Sequence, residues 1–280
     1  MNDRRLPAGM LVLAHAACFW PVWRWFVERL DDGSDEPWAL AALLAAVALS
    51  WPREGFKWNP RDPLLLGAAA FTLLYAVLAP FAPPLLRALA AMAALGCSWI
   101  SVSGARDKWP AVLCLLVLSV PVIASLQFYA GYPMRTLTAS GATWLLNLLG
   151  IEATRTGTSM MAYGRTVLVD APCSGVRMLW TASVLCASLA AMRTRVSPGG
   201  MAIALACVLP IVLVGNTVRA AMLFLIETAQ SEIHQAPPPG YLHSLVGIVT
   251  FVIVAALLLG AEHLLTRRRG RRRLEFAVRH

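Results

Sequence analysis

Eight apolar runs, parted by polar connections, decide what this chain can become. They cover residues 10–27, 38–51, 64–82, 85–102, 111–128, 174–192, 201–228 and 243–265. About 18 to 20 apolar residues in a helix cross the hydrocarbon of a bilayer, where each backbone polar group must find its partner within the segment. The second run is the shortest, and whether it crosses fully stays open. With 58% hydrophobic and 14% charged residues, an ordinary soluble domain is excluded. The expected fold class is all-α, a polytopic membrane helix bundle of about eight transmembrane helices.

Charge then sets direction. Most of the 24 Lys and Arg residues fall in NDRR, WPREGFKWNPRDP, SGARDKWP, RTRVSPGG and the C-terminal RRRGRRR tail. Eight spans put all five segments on one side, the cytoplasm by the positive-inside rule. ERLDDGSDEP and ETAQSEIHQAPPPGY, acidic or neutral, fall on the other. Basic clusters without interleaved aromatics give no nucleic-acid reading and mark orientation instead. Bulky aromatics occupy the place of an A-x-A cleavage site after the N-terminal apolar run, so that run reads as a span and not a cleaved leader.

The expected organisation is a five-helix membrane region over 1–126, an extracytoplasmic connection over 127–172, a three-helix catalytic membrane region over 173–266 and a basic cytoplasmic tail over 267–280. Within the connection, residues 137–149 have helical apolar spacing and read as an interfacial helix. TSMMAYGRTVLVD, two short alternating runs around Gly164, reads as a small β-hairpin.

That hairpin delivers the chain to VLVDAPCSGVRMLW. Of the six cysteines, Cys18, Cys97, Cys114, Cys186 and Cys207 read as packing residues, and no CxxC or Cys/His spacing suggests a metal. Cys173 differs: it follows Pro172 at the outer mouth of the sixth span. The seventh span enters from the cytoplasm, and Arg219 lies about 27 Å along it at the helical rise, at the outer edge again. The eighth starts outside with His243. A thiol, a guanidinium and an imidazole at one depth suit thiol-based acyl transfer: nucleophile, oxyanion partner and proton carrier. Free amides at Ser174, Gly175 and Val176 are expected to favour the thiolate. Arg177, Asn216, Ser174 and Gly175 are assigned to substrate contact around it. Taken alone, Arg177 and Arg219 also fit snorkelling anchors, His243 a span cap, and Asn216 an interhelical bond. His234 is a rival proton carrier, whereas His15 and His263 read as structural.

APCSGVRML, NTVRAAMLF and HSLVG, in that order and spacing, resemble the exosortase and archaeosortase family of membrane cysteine transpeptidases. The resemblance covers about residues 127–247, including QFYAGYPMR. The first five spans match only in being hydrophobic. By this resemblance, Cys173 corresponds to the catalytic cysteine, Arg219 to the arginine and His243 to the histidine. It further implies substrates that are secreted, membrane-anchored proteins with a C-terminal sorting signal: a short motif such as Pro-Glu-Pro, a transmembrane helix and a basic tail. The implied setting is a bacterial or archaeal cell membrane, with the site extracytoplasmic, no cofactor and no nucleic-acid partner. Rival readings are a transporter or channel using Arg177 and Arg219 for an anionic substrate, a non-catalytic exopolysaccharide-export subunit, and a thioester-relay acyltransferase.

Overall fold

The computed structural model describes residues 5–31, 38–57, 59, 61–234, 241–242 and 244–260. Among the described residues the α-helices run in order: α1 Arg5–Cys18, α2 Trp20–Asp31, α3 Trp38–Ser50, α4 Pro63–Leu78, α5 Pro84–Ser103, α6 Trp109–Leu118, α7 Ile123–Leu148, α8 Val176–Ala191 and α9 Pro198–His234. A further apolar helix, α10, spans Ser244–Gly260. Between α7 and α8 lie the strands β1 Thr154–Thr156, β2 Ser159–Ala162 and β3 Arg165–Leu168.

The count of eight spans is not met among the described residues. Two helices, Pro84–Ser103 and Pro198–Thr228, are long and apolar enough to cross a membrane, or up to four if each bent pair is one span. The bends fall where proline follows. Pro21 comes just after the 65° turn between α1 and α2, and Pro121 lies in the 90° turn between α6 and α7. A proline has no N–H to give its helix and drives the preceding residue out of helical geometry. The run 111–128, continuous in hydropathy, is thus divided at residues 119–122. Its second part joins the supposed connection in one helix, α7, which takes in the segment read as interfacial. Pro210, in contrast, sits inside an uninterrupted α9.

Contacts divide the chain into two compact units. The first holds residues 1–124 and 184–203. Its centre is α5, started by Pro84 at its first turn and ended by a left-handed Gly104. Ala88, Ala90, Ala91, Ala93 and Ala94 are all buried and let neighbouring helices approach closely. Several polar side chains in this apolar setting pair across helices. His15 on α1 lies 2.7 Å from Ser98 Oγ and 3.2 Å from Thr72 Oγ1, so both ring nitrogens tie helices together, as its structural reading expects. Asp62 caps α4 through the Leu64 amide (3.1 Å), accepts from Ser101 Oγ and pairs with Arg106.

The second unit holds residues 125–183 and 204–280. The antiparallel sheet has the order β1-β2-β3. Ala162 pairs with Arg165 across a two-residue turn, Tyr163 and Gly164, both at positive φ (52° and 69°). Such a turn matches the twist of a hairpin and favours glycine at its second position. The hairpin read around Gly164 is present, and β1, unforeseen in EATRTG, extends it. Met160 and Ala162 point from β2 into a core with Ala139 and Leu146 of α7 and Ala221 and Phe224 of α9. Cys173 packs against that core. Close helix contacts are made at glycines: a Cβ on Gly141 would meet Thr217 Oγ1 at 2.8 Å, and one on Gly215 would collide with Val254 of α10.

Candidate active site

The turn DAPCSG folds on itself before α8 begins. The Cys173 amide donates to the Asp170 carbonyl (3.1 Å) and also lies 3.3 Å from its Oδ1. The Ser174 amide donates to the Ala171 carbonyl, and the Val176 amide to Ser174 Oγ. Gly175, at φ 83°, provides the left-handed step that turns the chain into the helix. A Cβ there would stand 2.9 Å from Asn216 Nδ2, so glycine is required twice over, by conformation and by space.

Two helices brace this turn. From α7, Gln127 Nε2 donates to the Ala171 carbonyl (3.0 Å), while its Oε1 accepts from Ser174 Oγ (2.8 Å). From α9, Asn216 Nδ2 donates to the Cys173 carbonyl (2.8 Å) and to Thr138 Oγ1 (3.0 Å). Asn216 is 1% exposed, and its Oδ1 has no hydrogen-bond partner among the described residues. Arg219 lies three residues further along α9, on the same side. Its guanidinium lies along Gly247 of α10, 3.6 to 3.7 Å from where a Cβ would sit. The buried Arg219 Nε also lacks a partner among the described residues.

The thiol itself differs from expectation. Burial pushes Cys173 up to about 11, and a hydrogen bond to Asp170 and the charges of Asp170 and Glu227 add to the rise; the Arg219 charge opposes them. The amides expected to hold a thiolate are engaged otherwise: those of Ser174 and Val176 bond within the turn. At neutral pH the resting group is therefore a thiol, and attack on a carbonyl needs a base.

Cys173, Ser174, Gly175, Asn216 and Arg219 are thus brought together within the second unit. Arg177 is exposed on the first turn of α8. His243 and the tail Arg267–Arg273 lie outside the described residues, as does the side chain of His234. Among the described residues, no three His, Cys, Asp or Glu side chains are grouped to hold a metal. Gln127, Thr138 and Asp170 were not singled out from sequence. Gln127 opens QFYAGYPMR, but a span drawn through Pro121 placed it at the start of a loop, where its side chain had no address.

No curated protein and no solved structure matches the chain. A family model described as Transmembrane exosortase (Exosortase_EpsH) matches residues 8–260. The match takes in the first five spans, which from sequence resembled that family only in being hydrophobic, together with every described site residue. The chain belongs to the transmembrane exosortase family.

Proposed function

We propose that this protein is a cysteine transpeptidase or peptidase that acts on membrane-anchored proteins bearing a C-terminal sorting signal. One observation carries the reading. The Cys173 turn is fixed through its own carbonyl by Asn216, and Arg219, on the same side of α9, has a buried Nε with no partner among the described residues and a charge that acts on the thiol. A buried, unsatisfied cationic donor beside a nucleophile suits a negative oxygen that forms only during reaction.

In this reading, Cys173 Sγ attacks the carbonyl carbon of the scissile bond as its proton passes to His243. Arg219 binds the resulting oxyanion. The tetrahedral intermediate collapses by breaking the C–N bond, and His243 gives its proton to the departing amine. An acceptor, amine or water, then attacks the thioester, loses a proton to His243 and frees the thiol. Arg177, Ser174 and Gly175 contact the substrate chain around this centre. The catalytic region is 173–266, with α7 bracing it. With the basic connections in the cytoplasm by the positive-inside rule, the site lies at the extracytoplasmic face of a bacterial or archaeal cell membrane. There the substrate's own membrane helix presents its scissile bond.

The transporter reading expects polar residues at broken helices. One break, at Phe19, is apolar, and at the other, residues 119–122, the polar side chain is Ser119, whose hydroxyl donates to the Leu116 carbonyl of its own helix. The discriminating experiment follows a co-expressed substrate carrying a Pro-Glu-Pro motif, a membrane helix and a basic tail by gel mobility. Cys173→Ala is expected to abolish cleavage and Cys186→Ala to retain it. Normal processing by Cys173→Ala overturns the nucleophile and moves anion transport to the front.

A further inference from the structure

A cleft of about 690 Å³ opens in the first unit, where the ends of α3, α5 and α8 meet the turns that follow them. Its walls include Trp51, Arg53, Lys57, Asp107, Lys108 and Arg193. All lie in or beside connections that carry the chain's orienting basic residues. The acids here are already answered: Glu54 by Lys57 at 3.1 Å and Asp107 by Arg195 at 3.2 Å. Two cations are not. Among the described residues, Arg53 makes no ion pair or side-chain hydrogen bond, and Lys108 Nζ donates to the Leu49 carbonyl, a neutral acceptor. Partial burial and the neighbouring Arg53 charge both hold the Lys108 ammonium below its usual range. Like charges gathered in one cleft are unfavourable unless an anion enters between them.

The surroundings indicate which anion. Trp51 stacks edge-on with Phe56 and lies 5.9 Å from Trp99, ring centre to ring centre, and is itself 58% exposed beside the cleft. Tryptophans in such a position sit at the headgroup level of a bilayer, with an apolar body toward the acyl chains. Basic pockets between helices on the cytoplasmic side suit anionic lipid headgroups.

We propose that this cleft binds the phosphate of an anionic phospholipid of the cytoplasmic leaflet between Arg53 and Lys108, with Trp51 against the lipid's glycerol and upper chains. The proposal rests on the orientation given by the charge bias and is independent of chemistry at Cys173.

The test uses the full-chain protein, purified in detergent and stripped of lipid. Its thermal unfolding midpoint is followed while phosphatidylglycerol or phosphatidylcholine is added in mixed micelles. The expected result is a saturable rise with phosphatidylglycerol that phosphatidylcholine does not match. Half-saturation should weaken about thirtyfold in Arg53→Ala/Lys108→Ala, and Arg53→Lys/Lys108→Arg should retain it. Lys108 also ties down the end of α3, so Arg53→Ala alone, at an exposed side chain without structural bonds, serves as the variant expected to fold. It should weaken half-saturation about fivefold. Equal responses to the two lipids, or an unchanged half-saturation in Arg53→Ala, overturn the proposal. A full shift produced by inorganic phosphate at the same phosphate concentration overturns its lipid part. The readout needs no peptide substrate, so its failure is separable from failure of the catalytic reading.

Discussion

Asn216 of α9 donates a 2.8 Å hydrogen bond to the backbone carbonyl of Cys173, so the nucleophile's position is set through the main chain and not through its sulfur. Removing the amide leaves that carbonyl and Thr138 without their shared donor. Asn216→Ala is expected to destabilise the protein by about 1 to 3 kcal/mol in denaturant titration, the range for unsatisfied buried polar groups. It should also slow substrate processing more than the loss of folded protein explains.

Gln127 grips the same turn from the opposite helix by two bonds of opposite sense. Gln127→Glu retains the acceptor for Ser174 and loses the donor to Ala171, whereas Gln127→Ala loses both. Processing rates should fall in the order wild type, Glu, Ala, with about 1 kcal/mol of stability lost per bond. Equal rates for all three would remove Gln127 from any positioning role.

Gly175 and Gly164 separate conformation from space. Both have positive φ, but a Cβ at Gly164 meets nothing within 4 Å, whereas one at Gly175 runs into Asn216. Gly164→Ala should cost about 1 to 2 kcal/mol for its backbone alone. Gly175→Ala should cost about 1 to 3 kcal/mol more, since overpacking is added. Denaturation of the two variants side by side measures the difference.

The reactivity of Cys173 should follow its raised pKa. In a background lacking the other five cysteines, alkylation by iodoacetamide is expected to be slow at neutral pH and to rise with pH toward a midpoint of about 11. Arg219 favours the thiolate, so Arg219→Gln should move that midpoint up. Asp170 favours the thiol, so Asp170→Asn should move it down. Shifts of the same sign in both variants would contradict this electrostatic account.

Asp62 is 2% exposed and serves as helix cap, hydroxyl acceptor and partner of Arg106 at once. Asp62→Ala removes the cap of α4 and the acceptor for Ser101 Oγ and is expected to cost about 2 kcal/mol. Arg106→Ala leaves the buried Asp62 carboxylate without its cation and should cost more, about 3 kcal/mol. The comparison is made by unfolding in detergent.

Sequence showed which residues of the site come together better than how the site is built. Charge bias and helical rise brought Cys173 and Arg219 together, and alternation around Gly164 gave the hairpin, because each signal is local or additive along the chain. The braces were hidden because they depend on where helices break. Hydropathy does not register that Pro121 lacks an N–H, so one apolar run became two helices and Gln127 moved from loop to helix. The raised thiol pKa was equally hidden: a helix start in the sequence promises free amides, but in the folded turn those of Ser174 and Val176 bond to Ala171 and to Ser174.

Gly215, Asn216, Thr217 and Arg219 face Val254, the Cys173 turn, Gly141 and Gly247 in turn. Successive residues of a helix point about 100° apart, so these neighbours fix the rotation of α9 about its own axis as notches fix a shaft. The site has in effect one angular setting. A single residue inserted between Pro210 and Gly215 would turn all four positions together by about 100°, dismantling the centre without altering any residue in it.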